Sequence, residues 1–163
     1  LRLAAGLALP ESGRITWGGV PVRDAAMALR LVYVAHASAL KDDLSVTESL
    51  RFLAQLHGRD DSIATLHAAL DRVGMASRRD ALVRTLSQGQ RRRATLARLA
   101  LEQRASIWIL DEPYDALDSD GVQAVNELLH EQLARGGSVL LTSHLSPGDA
   151  APTLAEFDLD PFA

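Results

Sequence analysis

Two uninterrupted apolar runs constrain this sequence more than any other feature: Ile107-Trp108-Ile109-Leu110 and Ser138-Val139-Leu140-Leu141-Thr142. Each is too short for a helix, and neither alternates apolar with polar residues, so each predicts a strand buried on both faces. Between them lies a helical pattern. Ser119 stands as a cap, Val122, Val125, Leu129 and Leu133 recur on one side, and Gly136-Gly137 closes the run. Two buried strands joined by a helix define a parallel sheet covered on both faces, and so an α/β fold. A third compact apolar run, Leu31 to Ala35, predicts another strand of the same kind.

The period changes after that strand. Ser45-Val46-Thr47-Glu48 has the form of a capping box, and Val46, Leu50, Leu53 and His57 follow at helical spacing until Gly58. Ser62 opens a second helix with Ile63, Leu66, Leu70 and Val73 on one face, and a third is expected from Ser87 to about Gln103. Residues 45–103 therefore predict a helical insertion between strands. Ahead of it, Leu1 to Leu7 reads as the tail of a helix ending near Gly6. A turn at Pro10-Glu11-Ser12-Gly13, a short strand Arg14 to Trp17 and a Gly18-Gly19 turn follow. The chain divides into a catalytic core, 1–44 and 104–163, and a helical subdomain, about 45–103, within a single domain. Its 163 residues, 47% hydrophobic and 23% charged, suffice for one such core.

Ligands of open α/β sheets bind beyond the carboxyl ends of the strands. Here the buried-type strands end in Asp111-Glu112 and in Ser143-His144, which is chargeable chemistry at successive strand ends. Ser87-Gln88-Gly89-Gln90 is of a different kind. It is a helix start with Ser as cap and Gln at the third position, yet Gly89 stands in the first turn, where glycine costs about 1 kcal/mol against alanine. Such a glycine is understandable where something approaches the backbone closely, and a helix N-terminus favours a phosphate.

Together these segments resemble the ABC ATPases. Leu86-Ser87-Gln88-Gly89-Gln90 is similar to their LSGGQ signature, and Ile107 to Pro113 to their Walker B strand. Ala116-Leu117-Asp118 matches their D-loop and Thr142-Ser143-His144 their H-loop, in order and in spacing. The resemblance implies a P-loop NTPase-like parallel sheet with an inserted helical subdomain, and ATP with Mg²⁺ as ligands. It implies that Asp111 holds Mg²⁺, that Glu112 polarises the attacking water, and that His144 contacts the γ-phosphate. Ser87, Gly89 and Gln90 would bind the nucleotide held by an opposing subunit in a head-to-tail dimer, with Asp118 at that interface. Integral membrane transporter subunits would be the other partners. His36 stands where the family's Q-loop glutamine is usual, and Gln88 where its signature carries a second glycine.

One family element is missing. A P-loop needs a glycine-rich loop followed by Lys and Ser or Thr. The only lysine is Lys41, in Lys41-Asp42-Asp43, and the other 16 basic residues are arginine. Leu1 to Gly6 resembles the helix that follows a P-loop, so the core is expected to be incomplete at the N-terminus. These residues alone are expected neither to bind ATP well nor to hydrolyse it. Absence of an initiator Met points to a start inside a longer chain, and Leu1 to Pro10 lacks the basic leader of a signal peptide.

Within the superfamily, Tyr33-Val34-Ala35-His36, Leu44 to Phe52 and the tryptophan of the Walker B strand resemble the ATP-binding subunits of cytochrome c maturation (haem) exporters. Haem itself is not expected to bind here. That resemblance implies a peripheral position at the cytoplasmic face of the inner membrane. A net charge of −4 argues against nucleic acid, and Arg91-Arg92-Arg93 is expected to form a solvated helix face with its Arg stems packed on the helix. No cysteine is present to form disulfides or to bind zinc, and no apolar run is long enough to span a membrane. Alternative readings are the ATPase of another ABC exporter, a DNA-repair or translation ATPase, and a module that no longer hydrolyses ATP.

Overall fold

A computed structural model describes residues 1–28, 30–145, 148 and 150–157 of the chain. At its start, the amide of Leu7 donates to the carbonyl of Arg2 and that of Gly6 to Leu3, with Gly6 at φ 72°. This pairing is a Schellman closure, so the segment ends as a helix does. The indole of Trp17 donates to the Ala4 carbonyl at 3.0 Å, fastening that end under a small hairpin. The hairpin pairs β1 (Thr16–Trp17) with β2 (Val20–Pro21). Gly18 and Gly19 both have positive φ, as the two-residue turn between twisted strands requires. The strand expected over Arg14 to Trp17 shrinks to its last two residues. A short α1 (Ala25–Ala28) leads into β3 (Leu31–Val34).

Next come α2 (Val46–Leu56), α3 (Ile63–Arg72) and α4 (Gln88–Leu96). The expected capping box is formed: Ser45 Oγ accepts from the Glu48 amide at 3.2 Å, and Glu48 accepts from the Ser45 amide at 2.8 Å. The third helix is shorter than the apolar pattern indicates. It passes at Ala97 into a 3₁₀ turn, Ala97–Leu101. Tighter winding stacks residues three apart, which suits Leu96 and Leu99, both without exposed surface. Arg98 there reaches the Tyr33 carbonyl at 3.2 Å.

The main sheet is parallel in the order β3–β4–β5, with β4 (Ile107–Asp111) central and β5 (Ser138–Thr142) beside it. Val34 pairs with Leu110, and Asp111 with Thr142. The crossover is α5 (Ser119–Ala134), capped by Asp118 rather than by Ser119. One apolar cluster joins sheet and helices, with Val32, Val34, Trp108 and Leu110 against Leu50, Leu66, Leu70, Val125 and Leu129. Trp108 and the fully buried Gln132 share Ser106, whose hydroxyl and carbonyl satisfy both polar groups. β5 departs from the expectation of full cover. It pairs on one side only among the described residues and stays half-buried, as an edge strand does.

Candidate functional site at the strand ends and the signature helix

The parallel ladder brings Asp111, Glu112 and His144 to the ends of two neighbouring strands. Thr142, opposite Asp111, donates its hydroxyl to Asp111 Oδ1 at 3.1 Å, and its carbonyl takes the Glu112 amide at 3.2 Å. Beyond the ladder the chain turns sharply, with Glu112 at φ 49°. A non-glycine residue held there stores roughly 1–3 kcal/mol of strain. The turn sends the Glu112 carboxylate back to the end of β5. There Oε2 accepts the His144 amide at 2.9 Å, and Oε1 lies 3.5 Å from His144 Nε2. The carboxylate is largely covered, whereas the imidazole is 93% exposed. One group is thus pinned and the other presented to solvent. A fixed carboxylate of this kind can orient a water and accept its proton.

The second part of the site is the start of α4. Ser87 and Gln90 form a capping box with both bonds at 3.2 Å. That satisfies the amides of Ser87 and Gln90. The amides of Gln88 and Gly89 have no hydrogen-bond partner among the described residues, as expected for a helix N-terminus. Gly89 has an internal reason to be glycine: a Cβ on it would stand 2.6 Å from the Ala116 carbonyl oxygen. Ala116 itself has φ 58°. The close approach read from the sequence is made by the chain's own D-loop. Asp118 accepts from the Gly121 amide at 2.9 Å and also pairs with Arg93. The amide first, and then Arg93, hold its carboxyl below the usual range. His36 is exposed and lines a cleft of about 140 Å³ with Ser38, Gln88, Arg92 and Asp115.

Arg91, Arg92 and Arg93 do not form the solvated face expected of them. Arg91 pairs with Asp42 at 2.6 Å and with the Val83 carbonyl at 3.1 Å. Arg92 is buried and donates to the carbonyls of Ala35, His36, Asp111 and Glu112. Arg93 bonds Asp118 and the Val73 carbonyl. Polar spacing on a helix could not reveal this, because the acceptors are mostly backbone carbonyls from distant segments. Arg92 joins the two halves of the site, lining the His36 cleft on one side and bonding the Glu112 turn on the other.

Among the described residues no three His, Asp or Glu side chains converge on a common point as a protein-only metal cage would require. Asp111 has one oxygen occupied by Thr142 and remains half-exposed. That suits Mg²⁺, which takes one or two carboxylates and completes its shell with water and phosphate oxygens.

Parallel sheet, signature helix and paired strand-end acids define the ATP-binding domain of an ABC transporter. The ABC transporter family profile matches residues 1–115, and the chain belongs to that family. It is 45% identical over 146 residues to the cytochrome c biogenesis ATP-binding export protein CcmA of Pseudomonas aeruginosa, across 88% of this chain and 71% of that protein. The protein of the same description, numbered CcmA 1, from Cupriavidus metallidurans is also 45% identical, with 88% and 70% covered. Among solved structures, an ATP-binding subunit of an ABC transporter superposes with a TM-score of 0.74 at 26% identity, over 88% of this chain and 61% of that one. A putative ABC transporter ATP-binding protein from Pyrococcus furiosus, 22% identical with a TM-score of 0.74, shares the fold; 89% of this chain and 71% of that one are covered.

Proposed function

We propose that this chain is the ATP-hydrolysing subunit of an ABC exporter serving cytochrome c biogenesis, the process its relatives' names give, and that the system it drives exports haem. The observation that carries this is the cluster of Asp111, Glu112 and His144 at the ends of neighbouring parallel strands. In this reading Glu112 orients the attacking water and takes its proton, held by the His144 amide and by its own turn. His144, facing solvent, contacts the γ-phosphate. Asp111 holds Mg²⁺, which supplies charge neutralisation on the phosphate oxygens when bound. These 163 residues hold no glycine-rich loop followed by Lys and Ser or Thr.

The start of α4 serves a second subunit. Ser87, Gly89 and Gln90 approach the nucleotide of the opposing copy in a head-to-tail dimer, using the free amides of Gln88 and Gly89 and the helix dipole. Asp118 lies at the same interface, and His36 takes the place of the Q-loop glutamine. Residues 45–103 act as the helical subdomain beside the catalytic core. Residues 37–50 face integral membrane subunits, which places the protein peripherally at the cytoplasmic face of the inner membrane. No described helix is long and apolar enough to cross a membrane itself.

The test is Glu112→Gln in the full-length protein. Glutamine still accepts the His144 amide but cannot take a proton. Turnover should fall at least about 100-fold, the lower range for loss of a general base. ATP-driven dimerisation should persist, read by size-exclusion chromatography. Normal turnover in that variant excludes Glu112 as the catalytic carboxylate.

A further inference from the structure

The sheet ladder ends at Val34 and Leu110 between β3 and β4. Just past that point four carbonyls, those of Ala35, His36, Asp111 and Glu112, lie beyond the pairing of these two strands. A guanidinium is a planar fork with five N–H donors, and Arg92 puts one into that gap. Its Nη1 donates to Ala35 at 3.0 Å and to His36 at 3.4 Å. Its Nη2 donates to Asp111 and to Glu112, each at 2.6 Å. Arg92 is 7% exposed; burial pulls its guanidinium below the usual range, and the nearby Asp115, Asp111 and Glu112 offset part of that. Asp115 also donates its amide to the Glu112 carbonyl at 3.1 Å, so the same oxygen closes the turn. The peptide held in this way is the one with φ 49°, whose geometry aims the carboxylate at β5.

We propose that Arg92 is a positioning residue for hydrolysis, locking the Glu112 turn to the His36 segment so that the catalytic carboxylate is aimed only while both are in place. The proposal rests on the reading of Glu112 as the catalytic carboxylate. Arg91 and Arg93, tied to Asp42 and Asp118, fasten the same helix to segments on either side. Movement of α4 would thus be transmitted to the carboxylate through Arg92. Lysine at this position keeps charge and aliphatic packing, but its single ammonium cannot bridge both pairs of carbonyls.

The experiment compares wild type, Arg92→Lys and Arg92→Met in the full-length protein, with kcat and KM for ATP and thermal unfolding measured for each. A second arm places Arg92→Lys on Glu112→Gln and follows ATP-driven dimerisation. Arg92→Lys should lose at least about ten-fold in kcat with KM within about two-fold, while the double variant still dimerises on ATP. Arg92→Met should lose more kcat than Arg92→Lys. Wild-type kcat in Arg92→Lys overturns the proposal. So does a rise in KM at unchanged kcat, or a kcat loss that appears only with loss of dimerisation and folding. A wild-type protein without ATP turnover instead overturns the functional reading, and this proposal with it.

Discussion

At Gly89 the backbones of α4 and of the D-loop come so close that a side chain has no room. Intrinsic propensity favours alanine over glycine in a helix by about 1 kcal/mol. Against this, an added Cβ would stand 2.6 Å from the Ala116 oxygen, a backbone atom that cannot swing aside as a side chain would. Overpacking of this kind costs about 1–3 kcal/mol. Gly89→Ala should therefore lower stability by up to about 2 kcal/mol in urea unfolding, and an increase would show that the D-loop gives way freely. A larger residue at Gly89 would disturb the D-loop as well as any approaching phosphate, so it is a poor probe of contact between subunits. At this scale the positions of the strand-end acids and the caps Ser45, Ser62 and Ser87 were legible, since they follow from where a strand or helix stops, whereas the cap of α5 is Asp118 and not the expected Ser119. The partner of Gly89 and the acceptors of Arg92 were not, because a sequence shows donors but not the carbonyls that distant segments bring to them.

Among the elements, capping chemistry announced itself most clearly: Ser45 with Glu48 and Ser87 with Gln90 start helices by the bonds their spacing indicates. Less legible was the change from α4 to a 3₁₀ turn at Ala97, since apolar residues every three or four positions serve either winding. The loop before α2 is bound more tightly than its polar composition indicates. Val83 donates to the Leu44 carbonyl, Val46 donates to the Ala81 carbonyl, and Asp42 holds Arg91 of α4. That distinguishes neighbouring residues in any test of docking by this loop. Lys41 is exposed and enters no salt bridge among the described residues, whereas reversing Asp42 also releases Arg91. Lys41→Glu should reduce co-purification with the membrane subunits several-fold while altering basal ATPase much less. Asp42→Lys should reduce both, and co-purification unchanged in both variants would remove this loop from the interface.

For the molecule as a whole, the sequence indicated a parallel α/β core but not that sheet and helical insertion share one continuous apolar cluster. Nor did it show how the loop after β4 is anchored to α5, which is the work of Tyr114. That ring has no exposed surface, and its hydroxyl donates to Asn126 Oδ1 at 2.8 Å. Burial pushes the phenol from 10.0 up to about 12. In the unfolded chain the phenol ionises near pH 10, while the folded chain keeps the proton until about pH 12. Between those values the native state binds more protons than the unfolded state, so stability falls as pH rises. The contribution is complete below pH 10 and lost on passing through the folded value. Its size is roughly 2–3 kcal/mol, at about 1.4 kcal/mol for each pH unit of difference. Tyr33, the other tyrosine, is displaced upward too, by burial first and then by Asp111, so some alkaline sensitivity remains without Tyr114. Tyr114→Phe should lose about 1 kcal/mol at pH 8, the typical net worth of one hydrogen bond. Above pH 10 it should lose stability less steeply than wild type. Urea unfolding at pH 8, 10 and 11 should therefore show the two proteins drawing together as pH rises. Parallel pH curves would mean that the Tyr114 phenol ionises in the folded protein as readily as in water, and that this anchor is open to solvent.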